Sequence, residues 1–565
     1  MLSKKPAAPP PEDEPPAEGF RKEMVGLFLR NHIAARKAAS VCHKASKAKG
    51  QGVEDLAAMG ANPQKPARHR DVLRRLLKNR HWPSLYYFQC EVTDLRTQEE
   101  VFATLPVWLP HEILQSLEQK TTSLKGLCDH SFLQSQEFEH LSKVANKLAC
   151  SVDSLVGLSI WGDGVPFNNN RSHSLEMLSL SIMSCCDQGL RIPLAAFPKH
   201  LAAGPKTWNS VWNVMKWSLA WAATGIMPSH RHDGAPFDKT DTTRKKLALS
   251  PVPKGILVQI RGDWAFYKAV FGLPGWQEKR GCCWRCCMTP DKIHEVSSSS
   301  WWRQAHNRKN HWAAVAALDK ATPLLGVPFF DMSIICLDWL HIMDIGVSLH
   351  WLGSVFVLLS EKLPGNNVDQ RCKALHLRMK NYYKEYGIDS QMPLLKASML
   401  YKDKKKSSSS ASPKLRAKAG EAKGLILFSL LQCTALLNNR DSFEAAVIQC
   451  AQHLHNCYQQ LSQQVFEPSA LHREALKFAA LYVTLNQISV QQGRQLFKVT
   501  PKLHLFLEMT FDPKASPSTG WTYRDEDWGG QMSELARRRG GNLTCLAVAQ
   551  AMFHKFAALH QVPSL

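Results

Sequence analysis

Residues 255–288 read GILVQIRGDWAFYKAVFGLPGWQEKRGCCWRCCM, and the fold turns on this stretch. Ile256, Leu257, Val258 and Ile260 make an apolar run short enough for a buried strand. Asp263 closes the run, where a strand delivers a side chain to the edge of a sheet. Twenty residues on stand Cys283 and Cys286, spaced like a metal-ligand pair and flanked by Cys282 and Cys287. A turn aspartate followed by reduced thiols is the plainer alternative.

Upstream, residues 155–160 are strand-like and run into Trp161-Gly162-Asp163-Gly164. A polar turn at 168–170 leads to a second alternating run, 175–182, and RIPLAAF at 191–197 supplies a third. Residues 207–224 then read as a helix with Trp208, Trp212 and Trp221 near helical spacing, a core pattern rather than a stacking platform. Three strands, a helix and a further strand, with acids closing the first and fourth strands, predict a ribonuclease H-like α/β core, a mixed sheet with flanking helices. From 297 to about 499 the periodicity is mostly helical, broken by a basic low-complexity loop at 402–423. The expected organisation is a Pro-rich disordered tail (1–19), a basic and mainly helical region (20–150) and the first part of the core (151–288). A helical insertion (289–500) and the last part of the core (501–565) follow. In the basic region helices are expected over 20–49, 68–80, 102–124 and 129–148, with a short strand at 86–92.

Lys and Arg number 70 against 48 Asp and Glu, a net charge of +22. Such an excess suits a polyanionic partner, most simply nucleic acid, or else a solvated basic surface. The sixteen cysteines are scattered through a long chain, which favours reduced thiols or a metal site over a disulfide framework. The most apolar segment, 347–360, reads as too short to span a bilayer. A soluble intracellular protein with no membrane partner is expected.

Three widely spaced acids, Asp163, Asp263 and one of Asp525, Glu526 and Asp527, are candidates for holding two magnesium ions, since carboxylates suit a hard cation. The cysteine pair would need two further ligands for zinc, from His230, His232, His294, His306 or His311. His341 and His504 read as core histidines.

The order DGVPFN from Asp163, GDWAF around Asp263 followed by CWRC, DWLH from Asp338 to His341, and WTYRDED from Trp521 resembles the transposases of CACTA-type (En/Spm-like) DNA transposons. The matched motifs span about residues 155 to 540. The resemblance implies a ribonuclease H-like DDE core interrupted by a large all-α insertion, with Asp163, Asp263 and Glu526 as catalytic acids on Mg2+ or Mn2+. It implies a positioning role for Asp338 and His341 and leaves Cys283 and Cys286 as candidate Zn2+ ligands. The implied activity is metal-dependent cleavage and strand transfer on transposon-end and target DNA in the nucleus, with a homo-oligomer among the expected assemblies. The alternatives are an inert transposase-derived DNA-binding protein and a nuclease on the same core. The first 150 residues carry no zinc-finger DNA-binding module; Cys42 and His43 alone do not make one.

Overall fold

The computed structural model describes residues 16–62, 64–78, 81–121, 127–133, 135–166, 173–185, 189–273, 275, 283–286, 288–297, 300, 322–401, 412–463, 465–511, 516–537 and 544–563. Most of the Pro-rich tail, the polar turn at 168–170, Cys282, Cys287, His306, His311 and the 402–411 part of the basic loop lie outside them.

The chain is a mixed α/β protein with a small mixed sheet and many helices. β1 (Tyr86–Thr93) and β2 (Glu100–Val107) form an antiparallel hairpin. β3 (Leu155–Pro166), β4 (Ser174–Ile182), β5 (Ile192–Pro198) and β6 (Lys254–Gly262) form a four-stranded sheet in the order β5-β4-β3-β6. β3 and β4 are antiparallel, as are β4 and β5, whereas β6 runs parallel to β3. A parallel neighbour needs a crossover, and the helix Pro205–Thr224 lies within it. Beyond β6 the chain touches the edge once more, where Ile335 bridges Ile260 in parallel and Cys336 N–H donates to the Ile260 carbonyl at 2.9 Å.

These strands are buried on both faces, which is why they read as nearly continuous apolar runs. On one face the ring of Phe266 meets Gly162, and Trp208 of the crossover helix meets Phe266 edge-on at 5.6 Å. On the other face Trp161 meets Trp528 of the helix Tyr523–Ala536, ring centroids 6.1 Å apart. Trp208 and Trp212 are buried, as a core stripe should be, and Trp221 is half-buried.

Several boundaries in the basic region differ from expectation. The helix expected over 20–49 is two, Pro16–Leu29 and Ala35–Lys47, parted at Asn31, whose φ of 63° no right-handed helix accommodates. The tail is therefore already helical from Pro16. The helix expected over 102–124 is strand β2 followed by a short helix, Pro110–Glu118. Cross-strand pairs such as Val92–Val101 and Phe88–Leu105 outweigh the helical spacing there. The helix expected from 129 begins at Ser135, after a 3-10 turn at His130–Phe132.

The apolar segment at 347–360 is longer than it read. A π-helical turn, Leu340–Val347, continues into the helix Ser348–Glu361, and the 22 residues of Leu340–Glu361 are long and apolar enough to cross a membrane by length and composition. Of its most apolar window 89% is buried inside the fold.

Candidate functional site

β3 and β6 lie side by side in the same direction with Gly162 opposite Gly262. The next residue on each is an acid, so this register delivers Asp163 and Asp263 to one end of the sheet. A single ring explains both glycines. A Cβ on Gly162 would sit 2.2 Å from Phe266, and one on Gly262 would sit 2.5 Å from the same ring. Phe266 belongs to the helix Trp264–Phe271, whose N-cap is Asp263; that carboxylate accepts from Phe266 N–H at 2.6 Å. Asp163 accepts from Gly164 N–H at 2.7 Å.

The third acid comes from the first turn of the helix Tyr523–Ala536. Successive helical side chains diverge by about 100°, and the three acids separate accordingly. Asp525 is fully buried between two guanidiniums, 2.8 Å from Arg191 Nε and 2.8 Å from Arg261 Nη1. Asp527 is exposed. Glu526 is the one that lies beside Asp163, and its Oε1 stands 3.8 Å from His341 Nε2. Thus Asp163, Asp263, Glu526 and His341 converge.

The electrostatics follow from that crowding. Burial and the neighbouring Asp263 push Asp163 up to about 6, and burial with Asp163 pushes Glu526 up to about 8. Burial opposes the charge on His341, yet the hydrogen bond and charge of Asp338, helped by Glu526 and Asp263, hold it up at about 9. At neutral pH His341 is therefore the imidazolium counter-ion of an acidic cluster.

Asp338 organises this geometry. It accepts from His341 Nδ1 at 2.5 Å, from Leu340 N–H at 3.1 Å, and from the Thr522 N–H and hydroxyl at 3.1 and 2.7 Å. One carboxylate thus ties the start of the helical insertion to the start of the Glu526 helix. Lys502 Nζ donates to the His341 carbonyl at 2.6 Å across the π-helical turn, where a Cβ on Gly346 would meet the lysine stem at 2.6 Å. A cavity of ≈ 70 Å³ lies between Asp263, Asp338, His341 and Lys502.

Behind this cluster lies a second one. Cys283, Cys286, His504 and Glu508 are all buried and offer ligand atoms within 4.8 Å of one another, with Cys286 Sγ 3.2 Å from His504 Nε2. Two sulfurs, an imidazole and a carboxylate can hold a metal ion. Of the expected partners of the cysteine pair, His306 and His311 lie outside the described residues, and the other three stand elsewhere. His232 instead contacts the Tyr86 hydroxyl at 2.7 Å, His230 stacks edge-on to Trp221, and His294 is exposed. His504, read as a core histidine, is buried but belongs to this cluster. Its partner Glu508 went unread, although an i, i+4 His/Glu pair on one helix face was visible in HLFLE. Nothing in the sequence marked Thr522, Arg191 or Arg261, whose roles depend on contacts between distant segments.

No known protein family and no curated protein matches this chain. The chemistry of the site therefore carries the functional argument. Asp163 and Glu526, crowded together beside Asp263, are both held toward their protonated forms, which is what a divalent cation would relieve.

Proposed function

We propose that this chain is a DDE transposase-like protein that cleaves phosphodiester bonds in DNA and transfers the freed 3′ end, on a ribonuclease H-like core. The observation that carries the reading is the convergence of Asp163, Asp263 and Glu526 from segments hundreds of residues apart. A sheet ordered β5-β4-β3-β6, with β6 alone parallel and, among the described residues, one further parallel bridge at Ile335, supports the core assignment. The helical insertion before Glu526 and its tether through Asp338 fit the same architecture.

Asp163, Asp263 and Glu526 would hold Mg2+ or Mn2+. When bound, such ions activate an attacking hydroxyl and stabilise the leaving oxygen of phosphoryl transfer. His341 sets the charge beside Glu526, Asp338 holds its Nδ1 proton, and Asp525 fixes the rotation of the helix. The cluster of Cys283, Cys286, His504 and Glu508 would hold structural Zn2+, pinning the segment after Asp263 to the helix Pro501–Phe511 that follows the insertion.

DNA would meet the basic N-terminal region. A groove of ≈ 670 Å³ between those helices and the helix Cys545–Leu559 is lined by Arg36, Arg68, His69, Arg70 and Lys555, with no acid among its described lining residues. The decisive experiment is incubation of the purified chain with a duplex ending in a free 3′ hydroxyl and a supercoiled target plasmid. Magnesium-dependent nicking together with joined product is expected. Nicking without joining would make the protein a nuclease, and a metal-independent shift with neither would leave it a DNA-binding protein.

A further inference from the structure

The segment 412–416 lies against the helix Ser348–Glu361. Leu415 N–H donates to the Leu349 carbonyl at 2.9 Å, and a Cβ on Gly353 would sit 2.9 Å from the Lys414 backbone. The same helix receives the chain ahead of the helix Pro501–Phe511, where Phe497 N–H donates to the Ser354 hydroxyl at 2.8 Å. These contacts bring together Lys414 and Lys498, both exposed. Lys502, in the first turn of the following helix, holds the His341 carbonyl and lines the ≈ 70 Å³ cavity with Asp263 and Asp338. One imidazole registers all three cations: His350 is pushed down to about 4 by burial and then by Lys414, Lys498 and Lys502. Partial burial, followed by the charge of Lys498, likewise holds Lys414 below the usual lysine value.

Elsewhere on this basic chain lysines find acids, as Lys199 does in Glu176 at 2.9 Å and Lys362 in Glu444 at 2.7 Å. Among the described residues no carboxylate pairs with Lys414, Lys498 or Lys502, and the partner of Lys502 is a neutral carbonyl. Gathering like charges in this way costs free energy that a polyanion returns on binding. A compact anion needs one centre, whereas a row running from the surface to the acids suits a chain of phosphates. Lys502 is half-buried, a depth that one strand can reach and a duplex cannot. We propose that Lys414, Lys498 and Lys502 form a track for the sugar-phosphate backbone of a single nucleic-acid strand and lead it to the acid cluster at Asp263. The track rests on the DNA reading above and stands on elements other than those that carry Arg36, Arg68 and Arg70. Its contacts are to phosphate, so strands of any sequence should use it.

The test is fluorescence anisotropy of the full chain with an end-labelled single-stranded oligonucleotide, in magnesium-free buffer, over a series of salt concentrations. Each phosphate contact on a single strand adds about −0.7 to the slope of log affinity against log salt. Lys414→Ala/Lys498→Ala should bind more weakly at low salt, with a slope shallower by about 1.4. Lys502→Gln, which keeps a donor for the His341 carbonyl, should be shallower by about 0.7. Lys414 and Lys498 are exposed, so their double variant should melt at the parent temperature and its weaker binding cannot come from unfolding. Glu526→Gln should keep the parent slope, so that failure of the cleavage reading would leave the binding result standing. Where cleavage is observed, the double variant should raise KM and spare kcat, because neither lysine stands at the acids. A parent-like slope in the double variant overturns the proposal. So does a double variant that loses binding to phosphatidylserine vesicles while its oligonucleotide slope stays intact, which would give these cations to a membrane surface.

Discussion

The carboxylate of Asp525 meets the guanidinium of Arg261 at 2.8 Å, and that contact turns the next side chain, Glu526, toward Asp163. Neighbouring acids therefore do different work. On the proposed function, Glu526→Gln should abolish magnesium-dependent cleavage while leaving DNA affinity within about twofold, because it would remove a metal ligand and no phosphate contact. Asp527→Asn, at an exposed position, should cleave normally. Asp525 differs from both, being fully buried against Arg191 and Arg261. Removing one partner of a buried charge network costs about 3–5 kcal/mol, so Asp525→Asn should lower the melting temperature and lose activity with it. A stable, active Asp525→Asn protein would refute the assignment.

The Gly162–Gly262 pair makes a prediction about shape alone. Alanine at Gly262 would press on Phe266 at 2.5 Å and on the Gly162 carbonyl at 2.8 Å. Overpacking of this kind costs about 1–3 kcal/mol. Gly262→Ala should unfold at correspondingly lower urea, and Gly262→Ala/Phe266→Leu should recover part of the loss. Alanine tolerated at Gly262 without change would mean that Phe266 does not sit over the strands.

The sulfur cluster should be occupied in the purified protein. About one transition-metal ion per chain is expected by elemental analysis, retained through dialysis against magnesium, because thiolate and imidazole donors prefer zinc to a hard ion. Cys286→Ser and His504→Ala should each lose it and melt lower; Cys433→Ser, a buried thiol elsewhere, should keep it. Equal metal content in all three proteins would place the ion at another site.

His111 predicts a pH effect remote from the candidate site. Burial, reinforced by the nearby Arg244, pushes its imidazole down to about 3, and the hydrogen bond with Ser218 at 2.8 Å only partly offsets this. A histidine depressed in the fold is neutral in the native state and takes up its proton on unfolding. Stability from this group is thus intact above the unfolded value, near 6.5, and falls as the pH drops from there toward 3. Between pH 7 and 5 the loss should be about 2 kcal/mol, at roughly 1.4 kcal/mol per unit below 6.5. Urea unfolding of His111→Gln should lack that portion of the decline. An unchanged slope would mean that His111 is hydrated in the native protein.

The sheet was legible because its strands are buried on both faces, so LVGLSI and GILVQI announce themselves without any partner. The two Gly-Asp pairs were legible for the same reason: they stand where those runs stop. What stayed hidden depends on register and rotation. Which of Asp525, Glu526 and Asp527 faces the other acids is set by Arg191 and Arg261, and nothing local marks those arginines. The cysteine pair advertised a metal, but His504 and Glu508 arrive from over two hundred residues away, behind an insertion whose length hides the pairing. The strand at 86–92 was legible, but its partner β2 was read as the start of a helix, where helical spacing and strand alternation overlap within one short apolar run.

The basic groove offers the last prediction. Arg36, Arg68 and Arg70 are exposed on it and lie on or beside the helices Ala35–Lys47 and His69–Leu77, brought together beside Lys555. If all three arginines meet phosphates, each releases counterions on binding, and log affinity against log salt should carry about −0.9 per contact. Arg36→Ala/Arg68→Ala/Arg70→Ala should therefore bind duplex DNA more weakly at low salt and show a slope shallower by about 2.7. The loss should not depend on sequence, because phosphate contacts position a protein without reading bases. Lys477, an exposed cation on the helix Pro468–Gln491 paired with Glu474 at 3.5 Å, gives the control, and Lys477→Ala should leave the slope unchanged. An unchanged slope in the triple variant would move the DNA path away from this groove and assign its charge to solubility.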